Sequence, residues 1–384
     1  MTQVLDCDSV LRLLDQEPSR SSYALAHGVA YCGLILTDLR LSPIEQPLTE
    51  RLFKEAVRPR LRDIITEECA YANYFLFVAY FDTEDFPVAL IYMRETLTIL
   101  QLLRLDREDT YEGLAPSDAH RLRKLFFTLF LTERGVSLLT NFPLTLKNSI
   151  SYPDIRDDPS THAIVSLAKL FAVVDDYLLV LGNSEMGDFL ATSLYERIEK
   201  SKELSHSIQS DVHRTDFLIT TEWMRLLIWK AFNPGATNPE LIQSIARSLV
   251  KLGREISSAD FLRIHGVGMA MKLSVILFSV ADAYGMRSAC DGLVSDEPDP
   301  GRRIKKLLDL ITTLSESLPD LRLATATDTS KSGLESSALA YSTTVPTSNT
   351  YQPLKLSSAL FGNSEYFLDM FSGDFYNYPD QTTP

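Results

Sequence analysis

The stretch from Leu114 to Leu146, LAPSDAHRLRKLFFTLFLTERGVSLLTNFPLTL, constrains the fold more than any other part of this chain. Pro116 marks a helix start, with Ser117 expected as the N-cap of the Asp118–Ala119–His120 turn. Leu122, Phe126, Leu129 and Val136 then recur at helical spacing, which makes one face apolar. Glu133 falls inside that stripe. A carboxylate there is costly to bury unless it is paired, so the sequence predicts a helix with a charged group that needs a partner. A basic run (Arg121, Arg123, Lys124) leads in, and Asn141–Phe142–Pro143 ends the helix.

The same periodicity runs through the rest of the chain. Helices are predicted over 9–30, 48–80, 85–105, 118–140, 162–181, 187–206, 211–232, 239–253, 258–284 and 302–318, and strand-like alternation is nearly absent. Turn clusters such as Ser42–Pro43, Asp157–Asp158–Pro159 and Asn233–Pro234–Gly235 separate them. No fixed period repeats, which favours an irregular bundle over a solenoid. The expected fold class is therefore all-α, an irregular multi-helix bundle over residues 1–321. After it comes a Ser/Thr-rich stretch, 322–359, read as a disordered flexible linker. Residues 360–384 form an acidic-aromatic tail in which Phe367, Leu368, Asp369, Phe371, Phe375 and Tyr376 interleave charge with large apolar groups. Such a tail suits an activation-like segment that folds into a partner's groove; the other reading is a helix docking back on its own domain.

Several function classes are disfavoured. The start, MTQVLDCDSVLRLLDQ, lacks a basic region before an apolar run and is not read as a secretory signal. The longest greasy runs, Tyr74–Phe81 and Leu125–Leu131, are too short for a membrane span and are expected in the core. Cys7, Cys32, Cys69 and Cys290 stand singly, so no paired zinc-ligand spacing exists and buried, reduced thiols are expected. The net charge of −14, from 37 basic and 51 acidic residues, is opposite to that of a phosphate-binding protein. Local basic spots at Arg58–Arg62, Arg121–Lys124 and Arg302–Lys306 read as solvated helix faces.

Catalytic readings find little support. The all-α alternative is an enzyme or metabolite-binding protein of the terpene-synthase type, with Asp175–Asp176 and Asn183–Ser184–Glu185 as metal ligands. The spacing fails, because no third carboxylate returns to the face of Asp175, and the Asn-Ser-Glu run is contiguous. Asp175 and Asp176 are then expected to be solvated. No nucleophile elbow or phosphate-cradling loop is present, and His265–Gly266–Val267–Gly268 lacks a third glycine. No catalytic residue, metal or cofactor is assigned.

The run Arg121, Arg123, Leu125, Phe126, Phe127, Leu129, Phe130, Leu131, Thr132, Glu133, Arg134, followed by Phe142–Pro143–Leu144–Thr145–Leu146, resembles the most recognisable helix in the regulatory region of fungal binuclear-zinc-cluster transcription factors. Tyr74–Phe81, Ala89–Tyr111, Thr220–Trp229 and Ile264–Tyr284 resemble other helices of the same region, in the branch of starch and maltose activators whose relatives also sit in secondary-metabolite clusters. The family's six-cysteine DNA-binding module has no counterpart in this sequence. The resemblance implies a nuclear transcriptional regulator and activator that responds to a small-molecule effector, often as a homodimer. Direct DNA binding is not expected of this chain; it would act through the transcription machinery or a DNA-binding regulator. It also implies that His265 and Met269 are packing residues at a helix start.

An effector pocket between helices would be mostly apolar with a few polar anchors. Glu133, Arg134, Trp223 and Arg225 are the candidates, as polar or amphipathic groups on apolar stripes. For Glu133 and Arg134 the other reading is a structural ion pair to a neighbouring helix, through Arg94 or Glu95. Trp223 and Trp229 are expected on different faces, with at least one in the core.

Overall fold

Two of the long periodic stretches break in two. In this computed structural model, which describes residues 7–16, 19–36, 46–57, 65–140, 142–155, 158–178, 187–232, 238–255, 259–283 and 300–317, the stretch 9–30 is split into α1 (Cys7–Gln16) and α2 (Arg20–Leu36). The second helix has its own start signal: Ser22 N–H donates to Ser19 Oγ (3.0 Å) and Ser19 N–H to Ser22 Oγ (2.7 Å), a reciprocal cap. The stretch 48–80 likewise divides into α3 (Gln46–Val57) and α4 (Glu67–Asp82). Thr66 caps α4 by accepting from Cys69 N–H at 3.2 Å, and Glu67 and Glu68 suit the positive end of the helix. Pro18 and Pro59, which lack the donor a continuous helix needs, stand in the two interruptions of the sequence.

The remaining α-helices are α5 (Phe86–Leu102), α6 (Pro116–Thr140), α7 (Pro159–Leu178), α8 (Gly187–Ser201), α9 (Asp211–Phe232), α10 (Pro239–Glu255), α11 (Ala259–Ala283) and α12 (Pro300–Ser317). Two 3₁₀ turns lie at Glu108–Tyr111 and Lys202–Ser207, and no strand occurs among the described residues. The fold is all-α, as expected. Proline opens α6, α7, α10 and α12, where its fixed φ helps and its missing N–H costs nothing. The caps before them differ. Asp158 accepts from Ser160 N–H at 2.8 Å, Asn238 from Leu241 N–H at 3.0 Å, and Ala115 offers only its carbonyl to Asp118 and Ala119. The cap of α6 is thus Ala115 rather than Ser117, because Pro116 is already helical.

Helix α4 packs between α2 and α5, close enough to α2 that a Cβ on Gly28 would lie 3.3 Å from the Ala72 carbonyl oxygen. Helix α6 packs on α7, α8 on α9, and α11 on α9 and α12. The apolar face predicted for α6 is wider than one stripe: Leu125 to Phe130 are all buried, Thr128 included. Burial on every side explains why the run is so uniformly apolar. Tyr152, on the segment after α6, stacks on Phe127 with centroids 4.8 Å apart.

One correction concerns membrane-like segments. Gly266–Ala283 is long and apolar enough, by composition, to cross a membrane, and 78% of it is buried inside the molecule. Its apolarity matches its place in the core. Cys32 and Cys69 are buried free thiols, and burial pushes the Cys32 thiol up to about 12. The linker 322–359, the tail residues Phe367 to Tyr376, and Arg58–Arg62 lie outside the described residues.

Candidate functional site

Glu133 and Arg134 lie side by side on α6, and both are buried: 0% and 2% of their surfaces remain exposed. Glu133 uses both oxygens. Oε1 accepts from Thr145 N–H and from Thr145 Oγ1, each at 2.6 Å, and Oε2 accepts from Leu146 N–H at 3.0 Å. Arg134 grips Asp175 of α7 with two parallel bonds of 2.7 and 2.6 Å, and also donates to the Leu146 carbonyl at 2.9 Å. Its guanidinium lies over the Phe130 ring. The two residues therefore pin the extended segment after α6 against α6 and α7.

The partner expected through Arg94 or Glu95 is instead Asp175. Arg94 donates to the Pro143 carbonyl at 3.2 Å and stacks on Phe142, so it serves the same segment from outside. Asp175 is correspondingly not solvated, and its carboxylate is committed to Arg134 rather than free to hold a metal. The basic triplet departs from a solvated face as well. Arg121 pairs with Glu67, Arg123 with Glu108, and Lys124 with Asp158 at 2.7 Å. Arg303 of α12 pairs with Glu84.

Trp223 and Arg225 belong to a second group on α9. Trp223 is fully buried, its Nε1 has no hydrogen-bond partner among the described residues, and Lys272 Nζ lies 5.8 Å from its ring centroid. Trp229 is only partly buried, as the two-face expectation required. Arg225 meets Glu222 and Glu199 at 2.5 Å each and donates to Tyr195 at 2.8 Å, joining α9 to α8. Lys202 completes the group by bridging Glu199 (2.9 Å) and Glu222 (3.0 Å). Burial opposes the Arg225 charge, but Glu222, Tyr195 and Glu199 outweigh it and raise its pKa.

A cavity of about 320 Å³ lies between α4, α6, α7, α9 and α11, with Leu36 at the end of α2 also lining it, and none of Glu133, Arg134, Trp223 and Arg225 does. Its walls are mostly apolar, including Phe77 and Phe81 from α4, Leu131 and Leu139 from α6, Phe171 from α7 and Met269 from α11. Polar groups facing it are Asp82, Thr128, Thr132, Asp216 and Lys272, with the hydroxyl-bearing Tyr74. Lys272 Nζ donates to Thr220 at 2.8 Å and to Asp216 Oδ1 at 3.4 Å, and the same Oδ1 accepts from the Thr220 hydroxyl at 3.2 Å. Thr132 and Thr128 donate to the carbonyls four residues back, at 2.8 Å each. Burial pushes the Tyr74 phenol up to about 12, so it stays protonated near neutrality.

At one end of the cavity α11 is broken. Gly266 has φ 50° and ψ −155°, and Asp82 at the end of α4 accepts from Val267 N–H at 3.0 Å, capping the second half of α11. The segment from His265 to Met269, read as a helix start with those two residues packing, is thus a helix boundary inside one element. Sequence signals for this site existed: Lys272 is a single charge within an otherwise apolar run, and Gly266–Val267–Gly268 interrupts it. Neither tells which helices meet there.

No protein-family model matches the chain, and no solved structure matches it. Curated relatives do. The "Probable sucrose utilization protein" of Candida albicans is 25% identical over 271 residues, covering 66% of this chain and 52% of the relative. A maltose fermentation regulatory protein of Saccharomyces cerevisiae is 23% identical over 208 residues, 50% of this chain and 43% of its own length. A respiratory transcription factor of the same yeast is 22% identical over 208 residues, 49% and 44%. The chain spans about half the length of these relatives. The two Saccharomyces cerevisiae relatives are named for regulation of maltose fermentation and for transcription. Over about half to two thirds of its length, the all-helical chain is thus similar to the maltose- and sucrose-utilisation regulators of yeasts.

Proposed function

We propose that this chain is the effector-responsive region of a nuclear regulator that activates a sugar-utilisation gene set by working through protein partners. The observation that carries this reading is the cavity at the break in α11, in a chain whose relatives are named for sucrose use and maltose fermentation. An occupant there would touch several helices at once and bear on the Asp82–Val267 cap, so its binding free energy would favour one arrangement of α11 over another. The buried charge groups around Glu133–Arg134 and Arg225 serve as rigid struts on either side, and the acidic-aromatic residues 360–384 serve as the partner-binding segment. A net charge of −14 favours protein partners over nucleic acid.

The test is a reporter assay. The full chain, and the chain without residues 360–384, are each fused to a foreign DNA-binding module. Transcription that depends on the tail is the expected result; silence from both fusions would overturn the reading.

A further inference from the structure

We propose that the acidic-aromatic residues 360–384 dock on the outward face of α12 of the same chain, and that a transcription partner must compete with this face for them. The proposal rests on the reading of those residues as the partner-binding segment for its biological use, but docking can be measured apart from transcription.

Helix α12 has two unlike faces. Ile304, Leu307, Ile311 and Leu314 are buried in the core, and Arg303 pairs with Glu84. Arg302, Lys305, Lys306, Asp309, Leu310 and Thr313 follow one another at steps of one and three along the other face, and they border one shared space of about 280 Å³. Cations fill the first two turns of that face, and a single acid, Asp309, follows them. They stand at the positive end of the helix, and no acid in the first turn offsets them. Arg302 has interactions of its own, so Lys305 and Lys306, which meet no acidic partner among the described residues, are the cations open to an occupant. Leu310 is partly buried against the core, and the lysine stems add apolar surface beside it.

Charge and tether identify the occupant. Residues 360–384, which lie outside the described residues, carry Glu365, Asp369, Asp374 and Asp380 and no Lys, Arg or His. Phe367 and Leu368 stand between the first two acids, and Phe371 follows. Cations over an apolar floor match that alternation: carboxylates pair with the ammonium groups while the rings leave water on Leu310 and the lysine stems. Exposed ion pairs are individually weak, so the tether matters. About 50 residues join the end of α12 to Glu365, and at about 3.3 Å per extended residue they reach far beyond the roughly 27 Å of α12. The encounter is therefore intramolecular, and a free partner must outcompete its effective concentration. Nucleic acid is a poorer match, because so few cations neutralise few phosphates and a net charge of −14 repels a polyanion.

The test is chymotrypsin digestion of the purified 384-residue chain, with each cut timed by mass spectrometry. Cuts after Phe367 and Phe371 report the docked segment, and cuts after Tyr341 and Tyr351 in the preceding stretch serve as the internal reference. Lys305→Glu/Lys306→Glu should speed the phenylalanine cuts about tenfold, as expected when roughly nine-tenths of the chains are docked, and leave the tyrosine cuts unchanged. Salt at about 1 M should act in the same direction. Glu365→Lys/Asp369→Lys should do the same without touching the helical body, and it decides the matter if the α12 variant is unstable. Combining the two charge-reversed pairs should restore slow cutting, which a helix merely loosened by substitution would not do. No change in either charge-reversed chain, or no restoration in the combination, would overturn the proposal. So would protection lost on dilution, which would assign the segment to a second copy. Duplex DNA binding abolished by Lys305→Glu/Lys306→Glu would overturn it by assigning α12 to phosphates. Failure of the partner-binding reading would appear instead as silent reporter fusions while the protection remained.

Discussion

Glu133 has no unoccupied face: its two oxygens accept from Thr145, Leu146 and the neighbouring Arg134. A buried carboxylate in that position is stable only because donors converge on it, and removal of a donor exposes the full desolvation cost of the charge. Glu133→Gln is expected to cost about 1–3 kcal/mol, since one amide NH2 must then face a backbone N–H or the guanidinium. Arg134→Met should cost more, about 3–5 kcal/mol, because Asp175 and the Leu146 carbonyl both lose their donor. Urea unfolding measures both, and an unchanged midpoint for Arg134→Met would show that the network does not hold the fold. The demand for a partner was legible from Glu133 lying in an apolar stripe. The identity of the partner was not, because Asp175 is 41 residues away and enters only when α7 packs on α6.

At the scale of elements, helix α11 depends on a single glycine. A positive φ of 50° with ψ near −155° is a region that residues with a Cβ avoid, and a Cβ on Gly266 would lie 2.3 Å from Asp82 Oδ1. Gly266→Ala is therefore expected to lose about 1–3 kcal/mol from the backbone, with a steric contribution beyond that. Asp82→Ala should lose about 0.5–2 kcal/mol as a removed cap. In the Asp82→Ala background, Gly266→Ala should cost less, because the clashing oxygen is gone. A double-mutant cycle by denaturant unfolding reads this coupling, and additive costs would mean the carboxylate does not press on the helix break. Elements elsewhere were easier to read: proline at the first helical position and Asp158 or Asn238 before it announce α7 and α10 in the sequence itself. The divisions of 9–30 and 48–80 needed the same reasoning at Pro18 and Pro59, where apolar periodicity continued across the break and masked it.

The molecule as a whole is tied together by surface and half-buried carboxylates whose charge is required. Arg123 holds Glu108 at about 2, against an opposing effect of burial, with help from Ser151 N–H. Burial would raise Asp158, but Lys124, Ser160 and Thr161 outweigh it and keep its carboxyl well below the usual range. Both groups bind protons more weakly folded than unfolded. Their stabilisation is thus complete above the unfolded values of about 4 and is lost as pH falls through the folded ones. Burial also lowers the His213 pKa, so the unfolded chain takes up that proton first, and stability should begin to decline below about pH 6.5. Urea midpoints measured from pH 7 to pH 3 are expected to fall throughout, most steeply below about 4. Asp158→Asn should flatten the acid part of that slope, and an unaltered slope would remove Asp158 from the account. Local physics, acting over a few residues, determined the helical class, most of the helix starts and the burial of Glu133, since periodicity and caps are properties of neighbouring side chains. Packing alone decided which charges meet, that Asp82 caps a helix 185 positions further on, and that six helices leave a cavity between them. Those outcomes depend on how close whole helices can approach, and that depends on side-chain shapes brought together from distant parts of the chain.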